Sequence, residues 1–245
     1  MIDVHCHSLC GVDDGAIDQT ISLEMFEEAI ADGVTKVMCT PHCIPKGRFE
    51  NTYQQIKPIF DSLQQTVTEK GLNISLYLGA EVAYNEDFFN AIEEDRVVFL
   101  NGTKRMLLEF PWKEVEYPFD PVEIAQTVIS KGYQLIIAHP ERYQFVHQDI
   151  TVLEELKKLG CNFQVNRTSL VFDTDRNHEV AWKIVEAGYV DVVASDAHRP
   201  NSVRNIILSD AYKMIEERYG KQEAERLFIE NPQRVLDGKE LIARK

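Results

Sequence analysis

Short apolar runs alternate along this chain with longer stretches in which apolar residues recur every three or four positions. The runs read as strands over residues 2–7, 34–40, 74–78, 105–109, 134–138, 162–165 and 190–194. The helical stretches cover 17–32, 52–70, 87–94, 121–131, 151–159, 177–187 and, with a break at Tyr219-Gly220, 203–236. Ile21, Met25, Phe26, Ala29 and Ile30 make one such stripe, and glycines at 33, 71 and 132 stop three of the helices. Turn-rich loops are expected at 11–15 and 43–49, and an aromatic, proline-bearing surface loop with Trp112, Tyr117 and Phe119 at 111–121. No tandem repeat or low-complexity linker interrupts the alternation.

The ends of these runs carry the chemistry. In an extended strand Asp3, His5 and His7 project from one face, so two imidazoles converge. A histidine pair at that spacing fills a core poorly but clamps a divalent metal well. Later runs end the same way, in Pro41-His42, Gly79-Ala80-Glu81, Leu108-Glu109, Ala138-His139-Pro140-Glu141-Arg142 and Ser195-Asp196-Ala197-His198. Ligand-type residues at the C-terminal ends of nearly all of seven strands describe a distorted TIM-like (β/α)7 barrel with its chemistry on that rim. An open doubly wound sheet gathers its site at one switch point instead. Strand six ends in Asn166 and Arg167, which leaves a gap in the ring.

At 245 residues and 44% hydrophobic content, one domain spanning 1–245 is expected. Twenty-six basic against 40 acidic residues give a net charge of -14, which argues against binding nucleic acid or an anionic membrane. Five cysteines without scaffold-like spacing fit free thiols in a cytoplasmic protein. With Asp3, His5 and His7 among the first residues no signal peptide is expected, and no apolar run reaches the length that spans a bilayer. The candidate ligands are His5, His7, Asp14, His42, Glu81, Glu109, His139, Asp196 and His198, which include five of the seven histidines. Nine nitrogen and oxygen donors exceed the needs of one ion and suggest two or three divalent ions sharing a carboxylate, with Mn, Fe or Zn favoured over Ca. Three dications against four carboxylates leave about +2, which attracts a phosphate dianion even in an acidic protein.

Together, His5-Cys6-His7, Asp14, Pro41-His42, Gly79-Ala80-Glu81, Glu109, His139-Pro140-Glu141-Arg142 and Ser195-Asp196-Ala197-His198 resemble the PHP (polymerase and histidinol phosphatase) superfamily. Within it the chain is most similar to the manganese-dependent protein-tyrosine phosphatases of Gram-positive bacteria that regulate capsule and exopolysaccharide synthesis. The likeness extends to Val12-Asp13-Asp14-Gly15, the Lys46-Gly47 loop and Asn231-Pro232. It implies the PHP fold and three metal ions, with Mn2+ expected. His5, His7, Glu81 and Asp196 would surround one, Glu81, Glu109 and His139 a second, and Asp14, His42 and His198 a third. The choice of Asp14 over Asp13 rests on this resemblance alone. Arg142 matches a family arginine that grips substrate phosphate, and a second is expected after the Asp196/His198 pair, either Arg204 or Arg199. Arg48, on the loop near the rim, is a further candidate for meeting the phosphate.

The expected reaction is hydrolysis of phosphotyrosine by a hydroxide bridging two ions, the remaining metal and Arg142 holding the phosphoryl oxygens, with His42 or His198 as proton donor to the leaving group. The partner that the resemblance implies is the C-terminal tyrosine-rich tail of a membrane-associated bacterial tyrosine kinase. A small-molecule phosphatase of the histidinol-phosphate type is the alternative, followed by a barrel that only binds a phosphorylated partner. Cys161 to Arg167 mimics the Cys-x5-Arg loop of cysteine-based phosphatases, but Phe163 and Val165 alternate as in a strand and no glycine follows the cysteine, so no phosphate cradle is expected. Cys39 and Cys43 read as small buried thiols, and His147 and His178 as surface residues.

Overall fold

The structure, a computed structural model, describes residues 1–113, 117 and 119–244. Among the described residues nine strand segments run in parallel: β1 (Ile2–Cys6), β2 (Lys36–Cys39), β3 (His42–Cys43), β4 (Ser75–Leu78), β5 (Glu81–Ala83), β6 (Arg105–Glu109), β7 (Gln134–Ala138), β8 (Asn162–Asn166) and β9 (Val192–Ala194). β1, β2 and β4 form one sheet, and β3, β5, β6, β7, β8 and β9 the other. β3 resumes the path of β2 beyond Thr40-Pro41, and β5 that of β4 beyond Gly79-Ala80, so the segments amount to seven staves. Sequence patterning alone stops those two strands short, because proline and glycine read as terminators. Here they mark a step from one sheet to the other, and the resumed pieces carry His42 and Glu81. A Cβ on Gly79 would lie 2.7 Å from the Leu100 side chain, which explains the glycine at this step. The ring closes where the first stave meets the last: the His7 amide donates to Ala197 O at 2.8 Å and the Asp196 amide to His5 O at 2.9 Å.

Two apolar layers hold the staves. Inside, Ile2, Val4, Met38, Leu107, Ile136, Ala138, Val192 and Ala194 pack with Leu100, Val235 and Leu236. The last two come from the helix Asn231–Leu236, which stops the N-terminal mouth. Outside, the helices lay apolar stripes on the strands, as in Tyr53–Glu69, which buries Ile56, Phe60, Leu63 and Val67 and opens on a Thr52/Gln55 capping box. The helix Pro121–Ser130 starts from an Asp120 cap with proline in its first turn. Among the described residues no helix is long and apolar enough to cross a membrane.

Several expectations need correction. Asp3 does not point with His5 and His7, because the register between β1 and β2 shifts between Asp3 and Cys6. Its carboxylate instead accepts from the amide and hydroxyl of Ser195 on the closing stave. The final helical stretch begins at Ser209, not 203, so Arg204 lies on an irregular loop. Short helices at Gln144–Gln148 and Arg167–Val171 carry too few turns to show a period. His147 and His178 are half-buried, bonded to the carbonyls of Glu141 and Ser169. In the aromatic loop, residues 114–116 and 118 lie outside the described residues, while Phe119 packs on Tyr84, Phe110 and Phe145. Trp112 stays 42% exposed at the rim.

Candidate metal and phosphate site

All nine candidate ligands meet at the C-terminal mouth, with Glu81 at the centre. Its Oε1 lies 2.7 Å from His139 Nε2 and 3.4 Å from His5 Nε2, and its Oε2 lies 3.0 Å from His42 Nδ1 and 3.3 Å from His7 Nε2. Asp196 Oδ1 is 3.7 Å from His5 and 3.5 Å from His7. Glu109 approaches His139 at 3.6 Å and His42 at 4.0 Å, and Asp14 stands 3.4 Å from both His42 and His198. His5, His7, Glu81, His139, Asp196 and His198 are buried, His42 and Glu109 half-buried, and Asp14 exposed, so the cluster opens outward from a dry floor.

The backbone aims these groups at some strain. His139 and Asp196, each just past a strand end, have φ of 29° and 51°, the left-handed region that non-glycine residues seldom occupy. The loop bearing Asp14 is drawn so close to β1 that a Cβ on Gly15 would lie 2.1 Å from His7 O.

Three groups of ligand atoms lie close enough to share an ion: His5, His7 and Glu81; His42, Glu81 and Glu109; and His7, Asp14, His42 and His198. The first holds three of the four residues expected at the first centre, without Asp196; the second holds Glu81 and Glu109 with His42 in place of the expected His139; the last contains the third set with His7 added. Donor chemistry supports the fit. His5 Nδ1 bonds to Gln164 Oε1 at 2.8 Å and His7 Nδ1 to Asp13 Oδ2 at 2.7 Å. Both partners accept only, so each Nδ1 carries a proton and each Nε2 presents a lone pair in the neutral ring. Those two Nε2 atoms face each other at 3.3 Å, an arrangement that calls for a cation between or beside them. Burial pulls the His5 pKa down, but the carboxylates of Glu81 and Asp196 outweigh it and raise it to about 9; the field that would hold a proton there would hold a metal ion. Glu109 is pushed up to about 7 by burial and by the neighbouring Glu81 carboxylate, a repulsion that a shared cation relieves. His139 Nδ1 is buried without a hydrogen bond, and His42 Nδ1 is met only by Glu81 Oε2, in poor hydrogen-bond alignment.

Sequence patterning misses the residues behind the ligands. Asp13, a turn residue by sequence, binds His7 and the backbone amides of His42 and Gly15. Gln164 orients His5 and donates to Asn166, whose amide group donates to Asp196 Oδ2 at 2.8 Å. The apparent gap at stave six is therefore filled by two amides that hold ligands in place of supplying one. The alternation of Asn162, Gln164 and Asn166 with Phe163 and Val165, which puts the polar residues on one face of the strand, was the available signal.

Arg142 Nη1 lies 2.9 Å from Asp196 Oδ2 and Arg204 Nη2 2.8 Å from Oδ1. Arg199 turns away and bonds the carbonyls of Gly15 and His198. Arg48 is exposed and lies over Phe49, whose ring stacks on His42 with centroids 6.2 Å apart. Cys161 and Arg167 lie at opposite ends of β8, where burial pushes the Cys161 thiol up to about 12 and Arg167 pairs with Asp210, which rules out a cysteine-phosphatase loop.

Comparison with known proteins places this geometry. The chain is 29% identical to the tyrosine-protein phosphatase YwqE of Bacillus subtilis over 237 residues, covering 96% of this chain and 91% of that protein. It is 30% identical to the tyrosine-protein phosphatase CpsB of Streptococcus agalactiae over 246 residues, covering 96% and 98%. Among solved structures it superposes with a TM-score of 0.91 and 28% identity, over 100% of this chain and 97% of the other, on a chain from a study of YwqE from Bacillus subtilis and CpsB from Streptococcus pneumoniae, described as metal-dependent tyrosine phosphatases. A histidinol phosphate phosphatase of Lactococcus lactis, 14% identical with a TM-score of 0.58 over 93% of this chain and 96% of that one, shares the fold. Residues 1–237 match the family described as capsular polysaccharide synthesis, CpsB/CapC, and the chain belongs to that family.

Proposed function

We propose that this protein is a metal-dependent protein-tyrosine phosphatase acting on phosphotyrosine in a protein of the capsule or exopolysaccharide machinery. The observation that carries the reading is Glu81, each of whose oxygens faces two imidazoles, with two arginines held at the same mouth by Asp196. The family membership and the names of its relatives support it. His5, His7, Glu81 and Asp196 would hold one divalent ion, Glu81, Glu109 and His139 a second, and Asp14, His42 and His198 a third, with Mn2+ the expected metal and Fe or Zn the alternatives. Bound divalent ions supply a hydroxide nucleophile at neutral pH and neutralise charge on the phosphoryl oxygens.

The chain's own side chains do the rest. Arg142 and Arg204 present guanidinium donors beside the buried floor, where they would hold two phosphoryl oxygens and fix the ester for in-line attack. Arg48, on the exposed lip, would meet the phosphate as it arrives. His42, half-buried, and His198, buried, stand with Asp14 on the outward side of the cluster, and either, where not committed to an ion, could hand a proton to the departing phenolate. That step asks little, because a phenol of pKa about 10 is already a fair leaving group. The substrate would be the C-terminal tyrosine-rich tail of a membrane-associated tyrosine kinase, reached from the cytoplasm.

The test compares turnover of a phosphotyrosyl peptide, para-nitrophenyl phosphate and histidinol phosphate by the purified chain, with and without prior chelation. Aryl-phosphate turnover that chelation abolishes and Mn2+ restores is expected. Preference for histidinol phosphate, or no turnover in any condition, would overturn the reading.

A further inference from the structure

Trp112 comes just after the strand that ends in Glu109 and is one of two tryptophans in the chain. Its side chain stays 42% exposed at the rim, yet it is held on two sides. Its indole Nε1–H donates to Glu109 Oε1 at 2.7 Å. Its ring carries the guanidinium of Arg142, with the carbon 4.1 Å from the centroid. Its carbonyl accepts from the Gln144 amide at 2.9 Å, which ties the loop after β6 to the turn that bears Arg142. On its other side the same guanidinium meets Asp196, so Arg142 is fixed by one metal-type ligand and one aromatic face.

We propose that Trp112 is a positioning residue that sets Glu109 and Arg142 together, through its N–H and its ring respectively. An arginine on a flexible stem would otherwise sample many rotamers, and a carboxylate with a single oxygen committed needs its other contact fixed to keep its direction. One rigid indole does both, so the group facing the ions and the group facing the phosphate keep a constant separation. The inference rests on the phosphatase reading for the role of Arg142, but its two contacts can be measured without turnover.

Two variants separate the contacts. Trp112→Phe keeps an aromatic face and loses the N–H; Trp112→Leu loses both. In Trp112→Phe, binding of Mn2+ followed by calorimetry is expected to weaken by about tenfold, in the range for lost partners of metal ligands. At saturating Mn2+ its KM for para-nitrophenyl phosphate should stay within about twofold of the parent. Trp112→Leu should show the same loss of metal affinity together with a rise in KM of about tenfold that added metal does not restore, and weaker binding of inorganic phosphate to the metal-loaded protein. Far-ultraviolet circular dichroism checks that both variants fold. Parent-like Mn2+ affinity in Trp112→Phe, or parent-like phosphate affinity in Trp112→Leu, would overturn the proposal. If the parent hydrolyses no aryl phosphate, the functional reading fails, while the calorimetric measurements on metal and phosphate still decide the positioning role.

Discussion

The two mouths of the barrel are built from the same staves and could hardly differ more. At the N-terminal end Ile2, Val4, Leu107, Ile136 and Val192 close on Leu100, Val235 and Leu236 in one apolar cluster. At the C-terminal end the same strands finish in four ligand carboxylates and five imidazoles, most of them out of contact with water. The first arrangement is stabilising because apolar area leaves water. The second is costly, since buried charges lose solvation that only close opposite charge restores. One end of the molecule thus provides the stability on which the other end's strained, crowded site depends.

Substitutions at the two ends should separate these roles. The largest expected effect is that of His139→Ala, which should lower aryl-phosphate turnover by about a thousandfold and reduce bound metal, measured by steady-state kinetics and elemental analysis, with little change in circular dichroism. Leu236→Ala should do the reverse: about 2–5 kcal/mol of unfolding free energy lost in a urea titration, with kcat per folded molecule retained. Saturating Mn2+ should stabilise the parent by about 2.7 kcal/mol at a hundred times its dissociation constant, read as a raised urea midpoint, and His139→Ala should gain much less. The smallest effect distinguishes two neighbouring cations. Arg204→Ala should raise KM for aryl phosphate by about tenfold, as expected for the loss of a charge-assisted contact worth about 1.5–3 kcal/mol in part offset by solvent, whereas Arg199→Ala should leave KM unchanged. Equal effects of the two would erase the distinction drawn from their different partners.

Much of the mouth was legible in the sequence because ligand residues at strand ends interrupt an apolar pattern, and interruption is what a sequence displays well. His5, Glu81, His139 and Asp196 each interrupt or end an apolar stretch while staying buried with it. The apolar plug was less legible. Val235 and Leu236 belong to a short terminal helix, and nothing local says that it turns back to stop the barrel. Asp13, Gln164 and Asn166 were also hidden, since an amide or a second aspartate in a turn looks the same whether it faces solvent or steadies an imidazole. The bulge in β1 escaped for a third reason: strict alternation is the only pattern a strand shows in sequence, and a one-residue shift leaves no compositional trace. Arg204 was separable from Arg199 only by its partners in space.

The seam between the first stave and the last has a consequence for how the molecule is made. Asp3 and Ser195, joined by a hydrogen bond, are 192 positions apart, and His5 is fastened to Asp196 across the same boundary. During synthesis His5 and His7 emerge about 190 residues ahead of Asp196 and His198 and must wait for that much chain before these neighbours arrive. A nascent chain halted before residue 192 would carry most of its ligands and still lack the wall that encloses them, so the ability to retain ions should emerge late and all at once.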